Sequence, residues 1–266
     1  MKYTLGFIGC GNMGGALVQA AAKTLDGKQI AVCDFDKNKM QALKNSCGII
    51  PTDCKDIANN AEFIVLAVKP QAMQTAIADF AKEACARKDV TVITMAAGLS
   101  IQAIRSFFGA DLPVIRIMPN TPVAVGKGMI LYTCDKVTAQ AEEKFLSAFA
   151  KAGAFDKIPE DKIDAGSALS GCGPAFVYMF AEALADGGVE CGLPRDKAAM
   201  YAAQTLLGAA EMLLQNNNPG ALKDAVCSPG GTTIAGVHAL ETAGFRGAAM
   251  DAVTSAYQRT LELKNE

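Results

Sequence analysis

The sequence predicts an α/β protein in two halves: a doubly wound parallel sheet over residues 1–159, then an all-α half over residues 160–266. Three observations predict it. Short β-branched runs alternate with longer stretches of helical period as far as about residue 158, the pattern of βαβ units with right-handed crossovers. A glycine-rich turn separates the first run from the first helical stretch. After about residue 160 the strand signal stops, and Ala, Leu, Met and Gly recur at helical spacing.

The elements follow in order. Strands are expected at Tyr3–Ile8, Ile30–Asp34, Glu62–Val68, Val90–Thr94 and Val114–Ile117, each short and apolar, with helical stretches between them. Two further runs, Gly128–Tyr132 and Ala154–Ile158, flank a helical segment near Glu142–Ala150 and extend the sheet. The boundary falls at Pro159–Asp161, with neither a low-complexity linker nor a repeat. Helices are then expected over Ile163–Val189, Asp196–Gln215, Thr232–Glu241 and Phe245–Leu263. The first is apolar on nearly every side between Ala165 and Leu184, more than one domain can cover, so the second half reads as a C-terminal dimerisation domain.

Composition excludes several functions. A hydrophobic fraction of 51% fills a substantial core without staples. The 25 basic and 27 acidic residues nearly balance, and no Lys/Arg cluster tracks a phosphate backbone, so nucleic acid is not an expected partner. Nine cysteines (Cys10, Cys33, Cys47, Cys54, Cys85, Cys134, Cys172, Cys191, Cys227) are scattered without a C-x-x-C pair, which predicts reduced thiols in a cytoplasmic protein. The single histidine, His238, is assigned to structure, and the missing ligand spacing predicts no metal. No secretory signal precedes the first strand, and the runs Phe63–Val68 and Val90–Leu99 fall far short of the roughly 20 residues a membrane helix requires. No membrane partner is expected.

The turn reads Gly9-Cys10-Gly11-Asn12-Met13-Gly14, a G-x-G-x-x-G directly after a strand and at the start of a helix. Gly9 allows the tight turn, Gly11 lets backbone approach a pyrophosphate, Gly14 permits close helix packing, and the helix N-terminus favours the anion. Alone this is only a glycine-rich turn. Here Asp34 ends a second strand about 20 residues beyond the last glycine, which completes the Rossmann fingerprint for NADPH or NADH. Three more loops leave the carboxyl ends of strands: one with Ala67, Val68, Lys69 and Pro70, one with Ala96, Ala97 and Gly98, and one reaching Asn120 within Met118-Pro119-Asn120-Thr121-Pro122. Each alone can be Pro or Gly ending a strand; three at one edge point to the cofactor.

Taken with Leu169-Ser170-Gly171-Cys172-Gly173-Pro174-Ala175-Phe176 and Val226-Cys227-Ser228-Pro229-Gly230-Gly231-Thr232-Thr233-Ile234, these loops resemble those of pyrroline-5-carboxylate reductases, in the right order over nearly the whole chain. The departures are Cys172 for the usual serine, Cys227 for the usual threonine, and Cys33-Asp34-Phe35-Asp36 at the end of the second strand. The resemblance implies reduction of pyrroline-5-carboxylate to proline. It implies that Ser228, Gly231 and Thr232 hold the substrate carboxylate with Gly230 in the same substrate-binding turn, that Thr233 contacts the ring nitrogen as the catalytic contact, and that Ser170 and Gly171 lie near nicotinamide and substrate.

Residue chemistry supports this independently. Glycines leave backbone N–H groups open, and a helix beginning near Thr232 points its positive end at a carboxylate, although the same pattern serves as an ordinary N-cap. Pro174 kinks the first C-terminal helix, which packing alone also explains. A 2-hydroxy acid dehydrogenase needs a histidine or lysine to take the alcohol proton. A cyclic imine arrives already protonated, so binding and orientation suffice. The alternatives are a 3-hydroxy acid dehydrogenase, a different imine reductase, or a non-catalytic nucleotide-sensing relative. The dehydrogenase predicts a Lys or His early in the helical half; the sensor predicts an eroded Ser228–Thr233 turn.

Two further expectations concern cofactor and assembly. Asp34 would meet a 2′-phosphate as a like charge, a repulsion on the order of 4 kcal/mol at about 4 Å and an effective dielectric near 20, so NADH is expected to serve at least as well as NADPH. Lys37 and Lys39 stand near enough in sequence to offset this, and Asp34 can instead cap the next helix. The expected assembly is a homodimer or a larger set of dimers.

Overall fold

The computed structural model describes residues 2–263. In chain order it begins β1 (Tyr3–Ile8), α1 (Asn12–Ala21), β2 (Ile30–Cys33), α2 (Lys37–Cys47), β3 (Ile50–Pro51), α3 (Cys54–Asn60) and β4 (Ala61–Leu66). It continues through α4 (Met73–Ala78), α5 (Ala81–Cys85), β5 (Thr91–Thr94), α6 (Ile101–Phe108), β6 (Val114–Met118), β7 (Gly128–Asp135), α7 (Ala139–Ala148), β8 (Gly153–Lys157) and α8 (Ile163–Ser170). The strands form one sheet in the order β3-β2-β1-β4-β5-β6-β7-β8, and β1 to β6 run parallel. Phe7 of β1 lies between Val32 of β2 and Val65 of β4, and the order reverses at this point. A crevice at the carboxyl ends of β1 and β4 follows from that reversal.

Local chemistry sets the helix ends. Asp36 caps α2 by accepting from the N–H groups of Asn38 and Lys39, and Gly48 ends it at φ +69°. Ser100 caps α6 through the Ala103 N–H, and Thr138 caps α7 through that of Ala141. Both faces of the sheet are apolar, as parallel strands require. One packs Leu17, Val18, Phe145 and Phe149, with Phe7 and Phe149 edge to face at 6.3 Å; the other packs Ile57, Met73, Ile77, Phe80 and Ile104.

The structure departs from the sequence reading in identifiable places. β3 is two residues long and contains Pro51, too little to announce itself. β7 runs antiparallel to β6, because only the 3₁₀ turn Thr121–Val125 joins them and no crossover helix intervenes. β8 then returns parallel to β7 through α7. Cys33, ending β2, and Cys54, opening α3, form a disulfide with Cα atoms 5.6 Å apart, against the expectation that all nine cysteines are reduced. The chain brings them together by passing through β3, which pairs with β2.

The chain divides into two compact units, one of residues up to Cys172 together with those from Tyr257 onward, the other Gly173–Ala256. This lies beyond the change of rhythm near residue 160. The helix α8 stays with the sheet because Arg116 of β6, 1% exposed, is buried against Asp164 of α8 at 2.8 Å. The second unit comprises α9 (Gly173–Glu190), α10 (Arg195–Asn216), α11 (Pro219–Val226), α12 (Thr232–Thr242) and most of α13 (Phe245–Leu263). The single helix expected over Ile163–Val189 is broken between Ser170 and Gly173, where Pro174 follows. The helix α11 escaped the sequence reading, although Asn218 as its cap and Pro219 at its first position were signals. Its core is small: Ala185, Ala198 and Ala202 form its buried cluster, while Tyr178, Met179, Leu214 and Met250 stand 63%, 70%, 87% and 70% exposed.

Candidate active site

At the carboxyl edge of β1 the geometry requires glycine at positions 9 and 14 and leaves the backbone open at Gly11. Gly9 has φ +96°, and a Cβ there would meet the Ala67 carbonyl oxygen at 2.7 Å. A Cβ on Gly14 would meet the Gly9 oxygen at 2.7 Å and the Ala67 Cβ at 2.9 Å. At Gly11 a Cβ would meet nothing within 4 Å, so backbone is open to approach there. Gly11 also caps α1 without a side-chain hydrogen bond, leaving the first N–H groups of that helix for an anion. A cradle of this shape and polarity fits a dinucleotide pyrophosphate.

A cavity of about 520 Å³ opens above it, lined by Gly11–Gly14, Lys39, Ala67–Lys69, Met95, Met118 and Pro119. A neighbouring cavity of about 360 Å³ continues past Cys10, Gly15 and Lys39. The first two predicted loops thus meet, with Pro70 opening a 3₁₀ turn immediately after Lys69. From the loop after β5 it is Met95 that faces the cavity; Ala96 is buried, and Ala97 and Gly98 lie beyond it, with Gly98 at φ +77°. From the loop after β6, Met118 and Pro119 line it. Met95 escaped the sequence reading because nothing in the chain marks a Met as facing a cleft; Met118 stood in a loop already placed at this edge, and Lys39 was noted only as near enough in sequence to reach a 2′-phosphate.

Asp34 faces the glycine turn. Its Oδ2 accepts from the Cys10 N–H at 2.6 Å and its Oδ1 from the Asp36 N–H at 2.8 Å. Burial pushes its carboxyl upward, but these two N–H groups, the Cys10 thiol and the Lys39 charge outweigh burial and hold it below the usual carboxylate range. Capping of α2 falls to Asp36 instead. Burial, then the Asp34 carboxylate, push the Cys10 thiol up to about 12, which keeps it unreactive. Beside Asp34, Phe35 is 98% exposed and Lys39 Nζ stands 3.8 Å from Asp36.

Asn120 is placed differently from a cofactor ligand. Its amide is 9% exposed and committed to protein: Nδ2 donates to the Ser170 carbonyl at 2.9 Å, and Oδ1 accepts from the Met129 N–H at 2.9 Å. Ser170 Oγ donates to the Gly166 carbonyl, and a Cβ on Gly171 would meet the Ser167 oxygen at 2.7 Å.

In the second unit, the predicted turn forms as a hydrogen-bonded loop with Gly231 N–H donating to Ser228 O at 3.0 Å and Gly230 at φ +70°. The helix α12 starts at Thr232 with Gly231 as a cap that offers no side chain, and Thr232 and Thr233 are exposed. A Cβ on Gly231 would come within 2.3 Å of Ser228 Oγ. The first N–H groups of this helix are therefore without a side-chain cap, the arrangement that receives a carboxylate. His238 lies exposed on α12. Among the described residues no group of three His, Cys, Asp or Glu is arranged to hold a metal.

A doubly wound sheet with this glycine cradle, joined to a helical unit with an uncapped helix N-terminus, defines an NAD(P)(H)-dependent oxidoreductase that acts on a small anionic substrate. Residues 160–263 match the family model for pyrroline-5-carboxylate reductase dimerisation, and residues 4–98 match that for NADP oxidoreductase, coenzyme F420-dependent. The chain belongs to the pyrroline-5-carboxylate reductase family. It is 39% identical to the pyrroline-5-carboxylate reductase of Escherichia coli (strain K12), over 99% of both chains. A pyrroline-5-carboxylate reductase structure from Coxiella burnetii superposes with TM-score 0.90 at 32% identity, over 99% of both chains. The Plasmodium falciparum pyrroline carboxylate reductase with NADP bound superposes with TM-score 0.86 at 31% identity, over 97% of both.

Proposed function

We infer that the chain reduces pyrroline-5-carboxylate to proline with NAD(P)H. The observation that carries this is the intact Ser228–Thr233 turn at the uncapped start of α12, in a chain that matches these reductases from end to end. Bound nicotinamide cofactor supplies a hydride, which adds to the carbon of the protonated C=N bond and leaves a secondary amine and oxidised cofactor. The protein's part is to bind, orient and exclude water.

In this reading the N–H groups of Gly11, Asn12 and Met13, with Gly9, Cys10 and Gly14 shaping the turn, hold the pyrophosphate. Asp34 takes the adenosine ribose, Lys69 meets ribose or phosphate oxygens beside Ala67 and Val68 in the cavity, and Pro70, Ala96, Ala97 and Gly98 belong to the loops that border it. Ser228, Gly230, Gly231 and Thr232 receive the substrate carboxylate on the dipole of α12. The Thr233 hydroxyl contacts the ring nitrogen, fixing the C=N carbon for attack, and Ser170 and Gly171 are assigned to substrate as well. No Lys or His occurs in α8 or α9, which counts against an alcohol dehydrogenase.

Residues 160–266 serve as the substrate-binding and dimerisation half, a reading supported by the dimerisation family model over 160–263. The helical stretch Glu160–Glu190 is long and apolar enough to cross a membrane by length and composition, with 11% of its most apolar window buried. A second copy of the chain covers that surface in this reading, as a homodimer or a larger assembly of dimers. We place the enzyme in the cytoplasm, a reading that the seven free cysteines support and the Cys33–Cys54 disulfide opposes. Consumption of NADH or NADPH in the presence of pyrroline-5-carboxylate tests the assignment; no turnover with either cofactor overturns it.

A further inference from the structure

Ser170 ends α8, and four positions on stands Pro174. A proline nitrogen carries no hydrogen, so the donor that would continue the helix onto the Ser170 carbonyl does not exist. The ladder is already disturbed there, since the N–H groups of Gly171 and Cys172 both donate to the Ser167 oxygen, at 2.7 and 3.2 Å. The Ser170 carbonyl finds its donor outside the helix, in Asn120 Nδ2 at 2.9 Å.

The other end of the same amide is fixed as well, by the Met129 N–H of β7 at 2.9 Å. These partners determine the orientation of the carboxamide: rotated by half a turn, it would set oxygen against the Ser170 oxygen and NH₂ against the Met129 N–H. At 9% exposure neither end has water as a ready substitute. Asn120 directly follows Met118 and Pro119, which line the cofactor cavity. One buried side chain therefore joins the cavity-lining loop to the segment Ser170–Gly171.

We propose that Asn120 is a positioning residue for hydride transfer: it replaces the N–H that Pro174 removes and holds Ser170–Gly171 in fixed relation to the loop bordering the nicotinamide. This rests on the assignment of Ser170 and Gly171 to the substrate site. Asn120 acts through the backbone it holds, and its side chain does not bind the cofactor.

The test compares Asn120→Asp, Asn120→Ala, Pro174→Ala and the Asn120→Ala/Pro174→Ala double variant in the full-length enzyme. Asn120→Asp keeps size and the acceptor for Met129 but sets an oxygen against the Ser170 carbonyl. It is expected to lower kcat at least tenfold while the Kd for NADPH, from fluorescence titration, changes less than twofold. Returning an N–H at position 174 should raise kcat of the Asn120→Ala enzyme at least threefold, whereas Pro174→Ala alone does not raise kcat. Hydrogen exchange without substrate should show amides in 171–176 exchanging at least tenfold faster in Asn120→Ala.

Wild-type kcat in Asn120→Asp, a loss of NADPH affinity matching the loss of kcat, or no rescue by Pro174→Ala would each overturn the proposal. Unchanged exchange in 171–176 overturns it whatever the substrate. A wild-type enzyme inactive toward pyrroline-5-carboxylate removes the functional assignment instead, and exchange then judges the Asn120 contact by itself.

Discussion

The Cys10 N–H donates to Asp34 Oδ2 at 2.6 Å, tying the glycine turn after β1 to the end of β2. Asp34 thus ties down the glycine turn, and in the proposed reading it also presents its carboxylate to the adenosine ribose. NADH is expected to serve at least as well as NADPH, and Asp34→Ser is expected to shift the ratio of kcat/KM values at least tenfold toward NADPH. The physical cause is removal of a like charge, worth on the order of 4 kcal/mol at about 4 Å and an effective dielectric near 20. Steady-state kinetics with both cofactors measures this. A ratio of kcat/KM values left unchanged by the substitution shows that Asp34 does not set the choice.

The same carboxylate predicts a pH dependence. Its folded-state pKa lies below the ordinary value of 3.8, so the stability it contributes is fully present above that value and is lost as pH falls through the folded-state pKa. Thermal melts from neutrality to below pH 3.8 should show Asp34→Asn less stable than wild type near neutrality, with the gap closing only as pH falls below 3.8. A gap that stays constant across the acid range contradicts the assignment.

At the substrate turn, Gly231→Val drives a side chain into Ser228, since even a Cβ there lies 2.3 Å from its Oγ. Turnover should be abolished with cofactor affinity retained. Thr233→Ala should lower kcat/KM about 10- to 100-fold, the range for losing a hydrogen bond to a charged group. Wild-type turnover in Gly231→Val would place the substrate site elsewhere.

Arg116 and Asp164 form a buried ion pair, their side chains 2% and 4% exposed. Removing Asp164 leaves the buried Arg116 with Glu160 Oε1 at 3.3 Å in place of two carboxylates, so Asp164→Ala should destabilise by about 3 kcal/mol, the low end for breaking a buried pair. Replacing both with apolar residues, as in Arg116→Met with Asp164→Leu, should cost markedly less. Denaturant melts of the single and double variants decide it; equal losses would mean the pair is not energetically coupled.

The exposed apolar surface of α9 and α10 predicts an obligate dimer. Sedimentation at nanomolar concentration should find dimers or larger assemblies. A stable, active monomer there would contradict it.

Much of the site was legible because its demands are local. Gly9, Gly11 and Gly14 announce themselves through backbone conformation and close approach, and Gly231 with Thr232 through a helix start; such requirements act over a few residues and leave a spacing in the chain. The antiparallel direction of β7 does not show in its apolar run; its one signal was the gap between Met118 and Gly128, too short for a crossover helix. The pairing of Cys33 with Cys54, 21 residues apart, was not legible, because it depends on the path through β3. Asn120 is the instructive case. Its motif put it in the loop whose Met118 and Pro119 line the cavity, yet the partners of its amide, Ser170 and Met129, are set by tertiary structure alone.

The discontinuity of the first unit bears on how the protein is made. The chain leaves that unit after Cys172 and re-enters it at Tyr257, so the second unit is an insertion between two covalent crossings. Domains emerging from a ribosome generally fold in order from the N-terminus. Here the nucleotide-binding unit is still missing a piece when its last strand has been synthesised, and it receives that piece only after the whole helical unit has emerged. A fragment that stops before Tyr257 therefore lacks part of the first unit as well as the end of α13, and cutting the chain once within the insertion leaves each product holding a portion of both.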